Sequence, residues 1–147
     1  MAPDVGEYTY LIKVLEKIGY KPATGGGWSR ADGLVFDIFC GNKIHTTELL
    51  ESPLKGNNHI LIKEFSFIYL GALNYYDTII SRLFRGTSVD IEECLALVKS
   101  KNNEIDINLL TSRFKDTASF DVSEERVNKN LSYFISLINK RRGKSDK

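Results

Sequence analysis

Asp37 is the residue whose setting most suggests chemistry. It interrupts the apolar run Gly33-Leu34-Val35-Phe36-Asp37-Ile38-Phe39-Cys40. A carboxylate buried in such a run is costly unless a counter-charge, backbone amides or a metal ion holds it. Two readings stand side by side: a structural partner such as Arg82 or an amide cap, and a position for a metal ion. Arg30 closes the stretch Gly25-Gly26-Gly27-Trp28-Ser29-Arg30, whose backbone amides could cradle an anion with the guanidinium adding charge. The stretch lacks the lysine and the following helix of a P-loop, so a plain loop tip fits it as well. Trp28 could stack on a base or cover the edge of a small core. Arg82 and Arg85 stand three apart beside Gly86-Thr87-Ser88. They could bind phosphate, or pair with Asp77, Asp90 or Glu93 and fix a junction between two helices.

Other chemistry finds less support. His45 and His59 share no helical spacing with each other or with Cys40 and Cys94, which argues against a transition-metal site. No serine sits in the glycine-flanked turn of a hydrolase nucleophile. The pair Glu104-Ile105-Asp106-Ile107 reads as the start of a helix, with Asp106 as its cap.

The elements that must position these residues can be read from periodicity. Tyr8, Leu11, Ile12, Leu15 and Ile18 follow helical spacing and Gly19 supplies the stop. A loop follows, and then the run from Gly33 to Cys40 predicts a strand covered on both faces. The span from Lys43 to Asn58 suggests a short strand around Ile44 to Thr47 and a turn at Pro53, Gly56 and Asn57-Asn58. A second β region is predicted from His59 to Leu70. From Asn74 the pattern turns helical. Tyr76, Ile79, Ile80, Leu83 and Phe84 share a face, with Gly86 ending the helix. Asp90 is predicted to cap the next helix, with Glu93 completing a capping box and Ile91, Cys94, Leu95 and Val98 inward. Asp106 precedes Leu109, Leu110 and Phe114, and Ser123 opens a last helix with Val127, Leu131, Phe134, Ile135 and Ile138 as its stripe.

At 147 residues with 42% hydrophobic and 27% charged side chains, the chain suits one domain with its own core. Residues 7–72 would form a helix-plus-sheet part and 74–141 a helical part, with 142–147 a frayed basic tail. Twenty basic side chains oppose nineteen acidic ones, so no overall field favours nucleic acid. No apolar run reaches the roughly 20 residues that span a bilayer. Two cysteines are too few for a disulfide framework and read as reduced core thiols. A cytoplasmic protein with no membrane partner is expected.

Three stretches in this order carry a resemblance. They are Lys17-Ile18-Gly19-Tyr20 with Val35-Phe36-Asp37-Ile38-Phe39, then the run from Leu73 to Gly86, then the run from Ser88 to Leu97. Together they resemble polymerase-β-like nucleotidyltransferases, in the branch related to abortive-infection toxins, over roughly residues 7–100. The resemblance implies an α+β fold: a small mixed β-sheet flanked by helices, followed by a C-terminal helical part. It implies transfer of a nucleoside monophosphate from a nucleoside triphosphate (NTP) with Mg²⁺. Asp37 would match the third metal-binding carboxylate, and Arg82 the place where relatives carry a lysine.

The family's upstream Gly-Ser turn and acidic-x-acidic strand have no counterpart here. Only residues 1–6 precede the first helix, and Gly25-Gly26-Gly27 lies in the wrong order. Two Mg²⁺ ions need several converging carboxylates, more than Asp37 supplies. The expectation is an incomplete nucleotidyltransferase-like fold, inactive alone or dependent on missing residues. The alternative is a non-catalytic interaction module, whose exposed strand edges would favour a homodimer or a partner protein.

Overall fold

A computed structural model describes residues 1–24, 27–56, 58–66 and 69–145; side chains are described for those residues save 69 and 142–145. Helix α1 (Val5–Lys17) begins where the Asp4 carboxylate accepts a 2.9 Å hydrogen bond from the Glu7 amide, satisfying one of the free donors of a first turn. It ends at Ile18 and Gly19, whose φ of 90° suits glycine. Three very short strands follow: β1 (Lys21–Pro22), β2 (Trp28–Ser29) and β3 (Val35–Phe36), antiparallel in the order β1-β2-β3. Strands β4 (Lys43–Ile44) and β5 (Thr47–Glu48) form a tight hairpin through His45 and Thr46. Strands β6 (His59–Glu64) and β7 (Tyr69–Leu73) form a third antiparallel ladder, with Ile62 the extra residue of an irregularity between Leu61 and Lys63.

The rest is helical: α2 (Tyr75–Arg85), α3 (Ser88–Ser100), α4 (Ile107–Ala118) and α5 (Glu124–Ser145). Helix α2 touches each of the other three, and the core gathers at their junction. Ile79, Leu83, Phe84, Cys94, Leu110, Phe114, Val127 and Phe134 are almost wholly buried there, with the rings of Phe84 and Phe114 5.2 Å apart. Each such aromatic contributes roughly 2–3 kcal/mol by leaving water. Gly86 is fixed by two constraints. Its φ is 70°, and a Cβ would overlap the Asn130 amide. That amide donates to the Leu83 carbonyl at 2.8 Å, while Arg126 donates to the Phe84 carbonyl at 2.9 Å. Two side chains one turn apart on α5 thus close the C-terminus of α2.

The α+β class holds. Among the described residues the strands divide into three separate antiparallel ladders instead of the small mixed sheet expected; an isolated parallel bridge between Ala2 and Cys40 stands apart from them. The strand predicted from Gly33 to Cys40 shrinks to Val35–Phe36. Its one neighbour, β2, is only two residues long, and with no second layer Leu34 and Val35 stay exposed. The short strand expected around Ile44 to Thr47 is instead a hairpin turn, with His45 at φ 51°. The β region from His59 to Leu70 divides into two strands; Phe67 and Ile68 lie outside the described residues, as does Asn57 of the predicted turn. The stripe of α1 is only half-buried and Ile18 is exposed. Helix α3 starts earlier than predicted: Thr87 is its cap, and Asp90 takes the place expected of Glu93. Helix α5 continues to Ser145, into the basic segment.

Candidate functional site

Asp37 follows β3 on an irregular stretch and is exposed. The burial expected of it fails because the strand ends at Phe36, which frees the next side chain to turn to solvent. Among the described residues it makes no ion pair, with Arg82 or any other residue. Its Oδ1 instead lies against Gly27, where an added Cβ would come within 2.9 Å. Gly25 and Gly26 of the proposed anion cradle lie outside the described residues. Arg30, just after β2, is engaged. Its Nε donates to Asp32 at 2.9 Å, its second nitrogen also bonds that carboxylate, and its guanidinium lies 4.7 Å from the centre of the Tyr20 ring. The bond from Arg30 holds the Asp32 carboxyl below the usual carboxylate range. Trp28 is buried, at 8% exposure.

The two arginines of the α2–α3 junction are committed to carboxylates. Arg85 donates to Asp90 at 2.6 Å. Arg82 pairs with Glu93 and lies 3.8 Å from Asp90. Asp90 is only 4% exposed and also accepts from the Thr87 hydroxyl at 2.8 Å and the Thr87 amide at 3.3 Å. Burial pushes its carboxyl up, yet the bonds from Arg85 and Thr87 outweigh that and leave it below the usual range. The arrangement is a cap and a charge clamp, which realises the structural alternative for Arg82 and Arg85. Asp77, the third candidate partner, lies elsewhere.

Asp77 is the centre of a polar cluster that local sequence does not announce. It is 1% exposed and accepts from Arg113 of α4 at 3.0 Å, from Asn74 at 2.7 Å and from Asn58 at 3.4 Å. Asn74 also donates to the Asn58 side chain at 2.9 Å and caps α2 by accepting from the Asp77 amide. The spacing of Asn74 and Asp77 is a helix-start signal. Arg113 is thirty-six residues further along the chain, where no periodicity points to it. The cluster joins the root of the β6–β7 ladder to the helices. Tyr76 beside it accepts from the Asp106 amide at 3.1 Å, and Asp106 caps α4 as predicted. Glu104 pairs at 2.9 Å with Lys101, the residue that ends α3, so of the acidic-x-acidic pair Asp106 alone serves a helix start.

Cys94 is buried among apolar side chains, which pushes its thiol up to about 12; it is inert packing. Cys40 is half-buried, and both are free. Among the described residues no three His, Cys, Asp or Glu side chains gather as metal ligands. No helix is long and apolar enough to cross a membrane.

Among the described residues, one feature without an internal explanation is the β6–β7 ladder. Leu61 is 52% exposed, Ile62 60%, Phe65 49% and Leu70 47%. A two-stranded ribbon is marginal by itself in water, and this one keeps apolar side chains in solvent along most of its length. Comparison with protein-family models, with curated proteins and with solved structures gave no match to the chain.

Proposed function

We propose that this chain is a non-catalytic interaction module whose β6–β7 ladder is the docking element, for a partner protein or a second copy. One observation carries the reading: Leu61, Ile62, Phe65 and Leu70 are about half exposed on a ribbon that the helical core does not cover. Apolar side chains left in water on one element in this way mark interaction sites. The Asp77 cluster supports it, because it ties the root of the ribbon to a rigid helical body, as a presented element requires. Two free cysteines agree with a cytoplasmic setting.

The rival reading is a nucleotidyltransferase-like chain with an incomplete site, resting on the resemblance of the Asp37 strand and the α2–α3 junction. It needs carboxylates around Asp37 and arginines open to phosphate, whereas Arg82 and Arg85 are held by Asp90 and Glu93. Isothermal calorimetry with each nucleoside triphosphate and Mg²⁺ separates the two. The module gives no saturable heat, with or without Asp37→Ala. Mg²⁺-dependent binding that vanishes in Asp37→Ala would overturn it.

A further inference from the structure

The two edges of the ribbon differ. Strand β6 carries Lys63, Glu64 and the irregularity at Ile62, three of the devices that keep a strand edge from pairing. Strand β7 reads Tyr69-Leu70-Gly71-Ala72-Leu73, with no charge, no proline and no irregularity. Its register with β6 is otherwise regular, and Leu70, Gly71 and Ala72 are all exposed. An open neutral edge of this kind is a template for another strand.

We propose that β7 pairs antiparallel with β7 of a second copy of this chain, across a two-fold axis at Gly71, joining two ribbons into one four-stranded sheet. This rests on the reading of the ribbon as a docking element. Self-pairing at that register is complementary in size and charge. Gly71 meets its copy at the axis and brings no side chain. Leu70 falls opposite Ala72 of the second copy, and Ala72 opposite Leu70, so each large side chain meets a small one. Ala72 pairs with Ile60 and Leu70 with Lys63, so each row across the joined sheet reads Ile60, Ala72, Leu70, Lys63 and is apolar at the seam, with the lysine at its outer end. No like charges meet at the seam, because Lys63 and Glu64 lie one strand away from it. A charged peptide would find no counter-charge on β7, whereas the same neutral strand matches itself. The interface is isologous, as a two-fold contact must be. Five residues a side is small against the roughly 800 Å² per partner of stable complexes, so the dimer is weak.

Sedimentation velocity of the full chain, from low to high micromolar concentration, tests this. The wild type should show a monomer–dimer equilibrium. Leu70→Lys with Ala72→Lys sets cation against cation across the seam and should weaken the dimer at least about 100-fold, with the helical circular dichroism retained. Tyr133→Lys, at an exposed position of α5 away from the ribbon, should leave association unchanged. If the double variant fails to fold, hydrogen exchange of the wild type decides: raising the concentration should slow amides within residues 69–73 selectively. A monomer at every concentration, a dimer indifferent to the lysine pair, or exchange in 69–73 that ignores concentration would overturn self-pairing. Those outcomes leave the docking reading standing, since that reading falls on Mg²⁺-dependent nucleotide binding.

Discussion

The two halves of the molecule are built on different principles. Between Asn74 and Ile138, four helices bury three phenylalanines and a dense set of leucine, isoleucine and valine around one centre. Before Asn74, the buried apolar side chains among the described residues are Ala2, Tyr20, Trp28, Ile44 and Leu49, scattered in and around separate ladders. The helical half gives its charged groups local duties as caps and clamps: Thr87 with Asp90, Asp106, and Arg126 with Asn130. The β half leaves apolar side chains in water, most densely on β6 and β7. The buried cluster lies in one half, more of the exposed apolar side chains lie in the other, and Asp77 joins the two through Arg113 and Asn58.

The largest break in that comparison should come from the helical core. Phe114→Ala removes a fully buried ring and should cost about 3–5 kcal/mol, lowering the denaturation midpoint of the whole chain by circular dichroism. Trp28→Ala, in the β half, should loosen the local ladder while the helical signal persists. Equal loss of helix in both variants would show that the halves fold as one unit. Next in size is the joint. Arg113→Leu leaves the Asp77 carboxylate buried without its counter-charge and should cost about 3 kcal/mol, with faster hydrogen exchange around Asn58 and Asn74. A cost near zero would place Asp77 outside the link.

A smaller effect sharpens the helical half. Asp90 has a folded carboxyl below its unfolded value near 4. Its contribution is therefore complete above that unfolded value and is lost as pH falls through the lower folded one. Asp90→Asn should cost about 1–2 kcal/mol at neutral pH and flatten the acid limb of a stability profile. An unchanged acid limb would mean that the clamp carries no charge-dependent stability.

Much of the helical half was legible because its causes are local. The stripe from Ile79 to Phe84, the stop at Gly86 and the cap at Asp106 each follow from neighbours within a turn or two. The pairing of Arg82 and Arg85 with Asp90 and Glu93 was legible as an alternative, since one turn separates the helices. Shifting the α3 cap from Asp90 to Thr87 changed one boundary and the role of one carboxylate. The β half was harder to read for a physical reason. A run such as Leu34 to Phe39 says that a strand is possible, but its length depends on neighbours from elsewhere in the chain. With β2 only two residues long, Asp37 fell outside the strand and its presumed burial went with it. The link from Asp77 to Arg113 is likewise a product of how α4 crosses α2, which periodicity does not encode.

On the proposed reading, the apolar side chains of the β6–β7 ribbon serve a partner and not the fold. Thermal unfolding of Leu61→Lys, Ile62→Lys and Phe65→Lys combined in one chain tests it most directly. Side chains already in water should be replaceable at little cost, so the account predicts a stability within about 1 kcal/mol of the wild type and an unchanged circular dichroism spectrum. A loss beyond about 3 kcal/mol, of the size that emptying a core produces, would contradict it.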